Sequence, residues 1–127
     1  MKVVDSSAMI DVLTGTTRST QLRPLFDDDL FAPDLLIAEV FSFLNRMTTA
    51  RRLSRGEADQ LSLTLRQAPI EYLPTWPYAE QVWRWRDNLS CYDAVYVALA
   101  DDLRAPLVTT DAHLAKAAAD LVTVLTV

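Results

Sequence analysis

Glycine is almost missing from this chain. Only Gly15 and Gly56 occur in 127 residues, so no glycine-rich loop can cradle a phosphate, and the dinucleotide-binding and P-loop classes are excluded. The single cysteine, Cys91, cannot close an internal disulfide. With one cysteine and one histidine, His113, there is no nitrogen and sulfur set from which to build a zinc site. His113 reads as an exposed residue in the first turn of the last helix. Long apolar runs are also lacking. The longest, AVYVALA at 94–100, falls far short of the roughly 20 residues that a membrane-spanning helix needs. Asp5 interrupts the N-terminus after two valines, so no leader-like stretch stands there, and the expected location is cytoplasmic, with no membrane partner.

What is present is globular. Half the residues are apolar and 23% are charged, and the length suits one domain spanning 1–127 and is too short for two ordinary ones. Short β-branched or Leu-rich segments at Lys2–Val4, Leu30–Ala32, Ile70–Leu73, Pro106–Thr109 and Thr123–Leu125 read as strands. Helical patterns fill the gaps, at about 7–13, 19–26, 34–50, 54–67, 77–88, 93–104 and 111–119, with Asp34 and Ser54 as expected N-caps. The acidic run Asp27, Asp28, Asp29 reads as a polar turn. Strands alternating with helices predict an α/β fold whose short, mostly parallel sheet is covered on both faces. In helix 77–88, spacing groups Tyr78, Val82, Trp85 and Leu89 as a core face and leaves Trp83 outside, beside Arg84 and Arg86.

The net charge of −5 argues against a generally basic nucleic-acid surface. Arg46, Arg51, Arg52 and Arg55 nevertheless fall close together. They fit either a solvated helix hairpin or a binding surface for RNA or a protein partner.

Four carboxylates stand near strand ends or buried helix faces. Asp5 follows the first strand and Asp111 the fourth, and in an open α/β sheet ligands bind beyond the carboxyl ends of strands. Each could also simply cap the helix that follows it. Asp93 opens a helix whose next seven residues are apolar, with Ser90 at capping-box spacing. Glu39 lies at the edge of the apolar stripe of PDLLIAEVFSFLNRM, with no basic residue at helical pairing distance. Taken together they repel: two like charges about 6 Å apart at an effective dielectric near 20 cost roughly 3 kcal/mol. A cation among them is expected, and oxygen-only donors select Mg²⁺ or Mn²⁺.

The segments VVDSSAMIDVL, PDLLIAEV, SCYDAVYVALADDL and PLVTTDAHLAKAA, in this order and spacing, resemble a PIN domain, and specifically the VapC-type ribonuclease toxins of toxin-antitoxin pairs. The resemblance covers essentially the whole chain. It implies a three-layer α/β/α architecture and Mg²⁺-dependent (or Mn²⁺-dependent) hydrolysis of RNA phosphodiesters. Its acidic positions carry over to Asp5, Glu39, Asp93 and Asp111 as catalytic and metal-binding residues, with Ser6 and Thr110 as supporting hydroxyls. Two departures stand out: Ser42 occupies a position where many relatives have asparagine, and Ala115 and Lys116 stand where some have a further acid, which points to one dominant metal. The resemblance further implies a VapB-type antitoxin and a homodimer, with Arg46, Arg51, Arg52, Arg55 and Trp83 as contacts for RNA or antitoxin. A haloacid-dehalogenase phosphatase is ruled out because Ser7 stands where its second aspartate must be. The remaining rival is a PIN-like RNA- or protein-binding module with an inactive acidic cluster.

Overall fold

Five strands pair in parallel in the order β3-β2-β1-β4-β5. The computed structural model describes residues 1–127, with β1 at Lys2–Val4, β2 at Leu30–Pro33, β3 at Ile70–Leu73, β4 at Leu107–Thr109 and β5 at Val124–Thr126. Each expected strand is found within a residue or two of its predicted bounds, and the sheet is wholly parallel. Order reverses beside β1: the chain builds outward through β2 and β3, then returns to lay β4 on the other side of β1. Val3 pairs with Leu107 and Val4 with Val108, so the carboxyl ends of β1 and β4 lie side by side at this switch point.

Helices α1 (Ser6–Thr14), α2 (Ser19–Leu22), α3 (Leu35–Thr49), α4 (Arg55–Gln67), α5 (Ala79–Arg84), α6 (Cys91–Leu103) and α7 (Ala112–Ala118) complete the fold. Helix α6 is central. Every residue from Ala94 to Ala100 is buried, and the helix packs across β1, β2 and β4, where its alanines permit close approach to the sheet. Val3, Val4, Leu36, Val40, Leu99, Leu107 and Val108 are fully enclosed in the same core, each contributing roughly 1.5–3 kcal/mol by leaving water.

Ser54 caps α4 in a full capping box with Glu57. Three expectations need correction. Asp34 precedes α3 but makes no capping bond; its carboxylate accepts from the Thr75 hydroxyl instead. The helix expected at 19–26 is one α turn followed by a 3-10 turn at Arg23–Phe26 containing Pro24. The helix expected at 77–88 is likewise divided, into a 3-10 turn at Trp76–Tyr78 and the short α5. Its core face survives the division: Tyr78, Val82 and Trp85 pack on the core that includes Leu89. No helix is long and apolar enough to cross a membrane.

Candidate active site

Asp5 leaves the end of β1 in extended conformation and caps α1. Its Oδ1 accepts from the Ala8 N–H at 2.9 Å and from the Ser7 hydroxyl at 2.7 Å. Its Oδ2 accepts from the Thr109 hydroxyl at the end of β4. Only 3% of Asp5 is exposed. Burial pushes its carboxyl up to about 6, although the bonds from Ala8, Thr109 and Ser7 oppose the rise, and the charge of Asp111 adds to it.

Two hydroxyls join the strand ends. Thr109 Oγ1, besides donating to Asp5, accepts from the Asp111 N–H at 3.0 Å. Ser7 Oγ accepts from the Thr110 N–H at 3.0 Å and lies 3.1 Å from Thr109 Oγ1. Asp111 then caps α7, its Oδ1 accepting from the N–H groups of His113 and Leu114 at 2.9 and 3.1 Å. The expected supporting hydroxyls were Ser6 and Thr110; the ones on Asp5 are their neighbours Ser7 and Thr109. Ser6 instead lines the groove beside Glu39, and Thr110 enters the network through its backbone.

Asp93 stands in the first turn of α6, its N–H bonded to the Ser90 hydroxyl at 3.0 Å. Burial raises its carboxyl above the ordinary range; Ser90 opposes the rise, Asp111 reinforces it and His113 opposes it. Glu39 is half-buried on α3, and its Oε1 accepts from the Tyr96 hydroxyl. Burial, then the bond to Glu39 and the charge of that carboxylate, hold the Tyr96 phenol far above its usual range, and the charge of Asp5 acts in the same direction. Asp111 thus acts electrostatically on Asp5 and Asp93, while Glu39 and Asp5 both act on Tyr96. The four predicted carboxylates share one neighbourhood.

They do not converge as a closed cage. No group of three or more His, Cys, Asp or Glu side chains is drawn close enough to hold a metal ion by itself. The donor chemistry still fits a hard divalent cation. Mg²⁺ demands oxygen, keeps several waters and is usually held by only one or two carboxylates, and Asp5 and Asp93 are both destabilised as anions by burial.

Beside the carboxylates, Ser6, Glu39, Ser42, Arg46 and Tyr92 help line a groove of about 380 Å³. The arginine cluster is divided by the fold. Arg46 reaches this groove, whereas Arg55 lines a separate cleft between α3 and α4, and Arg51 and Arg52 occupy the exposed turn joining those helices. Trp83 is 64% exposed, with the Arg86 guanidinium stacked 4.4 Å from its ring centre. His113 is exposed, as expected. Tyr96 was missed by sequence reasoning, which counted it as apolar; the one available signal was a hydroxyl inside the run AVYVALA.

The PIN domain model matches residues 2–120. Ribonuclease VapC9 of Mycobacterium tuberculosis is 36% identical over 114 residues, covering 90% of this chain and 88% of that protein. Among solved structures, Mycobacterium tuberculosis VapC20, a sarcin-ricin loop cleaving toxin, superposes with a TM-score of 0.72 at 17% identity, covering 92% of this chain and 95% of the other. VapBC2 from Rickettsia felis, bound to a fragment of promoter DNA, matches with a TM-score of 0.66 at 12% identity, covering 98% and 97%. At these identities the structural matches speak to the fold, which is the three-layer α/β/α arrangement.

Proposed function

On the premise that this chain belongs to the PIN domain family, among the VapC-type ribonucleases, we propose that it is a metal-dependent endoribonuclease toxin restrained by a cognate antitoxin. The observation that carries the reading is Asp5. A carboxylate with 3% exposure, raised to about 6 and ringed by three donors, is poor design for stability alone. It makes sense beside a cation at a switch point where ligands bind.

Asp5 and Asp93 would hold the ion, with Glu39 and Asp111 completing the acidic site directly or through water. Bound there, Mg²⁺ or Mn²⁺ supplies Lewis-acid polarisation of the phosphate and lowers the pKa of a coordinated water. The chain's own residues do the positioning. Ser7 and Thr109 fix both oxygens of Asp5, and Thr109 also ties the Asp111 backbone. Arg46, in the groove beside Glu39, offers a cation to the RNA backbone, which four unneutralised carboxylates would otherwise repel. No nucleophilic side chain is needed. The partner reading draws on the VapC names of the relatives and on the VapBC fold match.

The test is cleavage of total cellular RNA by antitoxin-free protein with Mg²⁺ or Mn²⁺, with chelator, and with folded Asp5→Asn and Asp93→Asn variants. Discrete fragments that disappear with chelator and in both variants are expected. Absence of cleavage by folded, metal-supplied protein over a broad RNA pool would overturn the enzyme reading and favour a PIN-like binding module.

A further inference from the structure

Tyr96 lies at the centre of α6, where every neighbour from Ala94 to Ala100 is buried and the other six are apolar. A phenylalanine would fill the same volume. A buried phenol requires a partner for its O–H, and Tyr96 finds one in a side chain 57 residues away, Glu39 of α3. Ser6 of α1 lines the same groove as Glu39, and the Tyr96–Glu39 bond joins α6 to α3 inside an otherwise apolar layer. Glu39 accepts no other hydrogen bond: Oε1 is held by Tyr96, and Oε2 has no protein donor. Asp93 and Tyr96, three residues apart, share one face of α6. The helix that carries one carboxylate of the site therefore fixes a second, on another helix, through this hydroxyl.

We infer that Tyr96 is a positioning residue for Glu39, anchoring one carboxylate oxygen so that the other is presented to the acidic site. The inference rests on the nuclease reading above and deepens it. An unanchored glutamate has three rotatable bonds, and ordering it would have to be done anew at each binding event. Groups that orient ligands in this way are typically worth 10- to 100-fold in metal affinity or activity.

The test uses Tyr96→Phe, which removes one oxygen and keeps the ring in the core, together with Glu39→Gln and the double variant. Mn²⁺ binding to the RNA-free protein is measured by calorimetry, alongside kcat and KM for RNA cleavage and thermal melting. Mn²⁺ affinity in Tyr96→Phe is expected to fall at least about tenfold, with KM for RNA unchanged. In the Glu39→Gln background the same substitution should change Mn²⁺ affinity by less than about twofold, because the group through which it acts is gone. A merely structural tyrosine would not show that dependence. Unchanged affinity in Tyr96→Phe, or an equal loss in both backgrounds, overturns the inference while leaving the nuclease reading intact. A wild-type protein that neither binds Mn²⁺ nor cleaves RNA overturns the nuclease reading, and the inference with it.

Discussion

Asp5→Asn should make the metal-free protein more stable at neutral pH while abolishing its activity. Burial raises the Asp5 carboxyl from 3.8 to about 6, a difference of about 2 pH units that corresponds to roughly 3 kcal/mol between its two protonation states. The sign follows from proton counting. Between about pH 4 and 6 the folded protein retains a proton that the unfolded chain has released, so stability falls as pH rises through this window. Above it, the folded protein carries the full penalty of a buried anion, which an amide does not carry. The hydrogen-bond network can accommodate the change. Ser7 and Thr109 both commit their protons to the carboxylate, leaving none for the 3.1 Å contact between them. With an amide NH₂ in place of Oδ2, Thr109 becomes the acceptor and its freed proton can bridge to Ser7.

The rise to about 6 is already net of the bonds from Ala8, Thr109 and Ser7; fitting an amide NH₂ into the enclosed network offsets part of the gain, so a net stabilisation of about 1–2 kcal/mol is expected, or about 4–8 °C in Tm for a domain of this size. The assay is thermal melting with chelator at pH 8 and again at pH 4, where Asp5 is protonated in the folded state and the advantage should vanish. Mn²⁺ should reverse the order at pH 8, because an ion present at 100 times its Kd adds about 2.7 kcal/mol to the wild type alone. A variant that melts below wild type in chelator at pH 8 would refute the claim that burial dominates at Asp5.

Thr109→Val keeps the shape of a fully buried side chain but removes the donor to Asp5 and the acceptor for the Asp111 N–H; a loss of about 1–3 kcal/mol in chemical denaturation and weaker Mn²⁺ binding are expected. Arg104 ends α6 at φ 51, a conformation that disfavours side chains, so Arg104→Gly should raise stability by about 0.5 kcal/mol without altering cleavage. Trp83→Ala should leave Tm unchanged and weaken RNA binding by about 1–3 kcal/mol in a filter-binding assay, as loss of one stacked base would; full retention of binding would assign the Trp83–Arg86 stack to another role.

Much of this was readable from local chemistry. β1 and β4 announced themselves by β-branched runs leading to carboxylates, the other strands by short apolar runs, α3 by apolar periodicity, α4 by its Ser54 cap and α6 by an unbroken apolar run. The hydroxyls were not readable. Ser7, not Ser6, meets Asp5 through the local turn into α1, whereas the choice between the adjacent Thr109 and Thr110 depends on how β1 lies beside β4, strands more than 100 residues apart in sequence. A displacement of one residue reverses which way a strand side chain points. The division of helix 77–88 was similarly hidden: Pro77 suits a helix start, and only the turn from Trp85 to Leu89, closed by backbone bonds of Asn88 and Leu89 to Trp85, shows where α5 must stop for Tyr78, Val82 and Trp85 to reach the core.

The choice first posed for Asp5 and Asp111, helix cap or functional carboxylate, is a false opposition. A helix N-terminus is where a carboxylate is held most cheaply, since free N–H groups and the helix dipole both favour negative charge. Three of the four carboxylates use that place: Asp5 caps α1, Asp93 lies in the first turn of α6 and Asp111 caps α7. Capping fixes the carboxylate but does not exhaust it. Asp111 receives both of its capping bonds on Oδ1, and its Oδ2 has no protein donor. Glu39, in the body of α3 and without a helix end to steady it, is the one member that needs an anchor from elsewhere, and Tyr96 is the only side chain bonded to it. The same bonds that shape the turn into α7 therefore leave Asp111 Oδ2 free, as the Tyr96 bond leaves Glu39 Oε2 free, in the neighbourhood that the four carboxylates share, which is why local stability signals and functional ones coincide along this sequence.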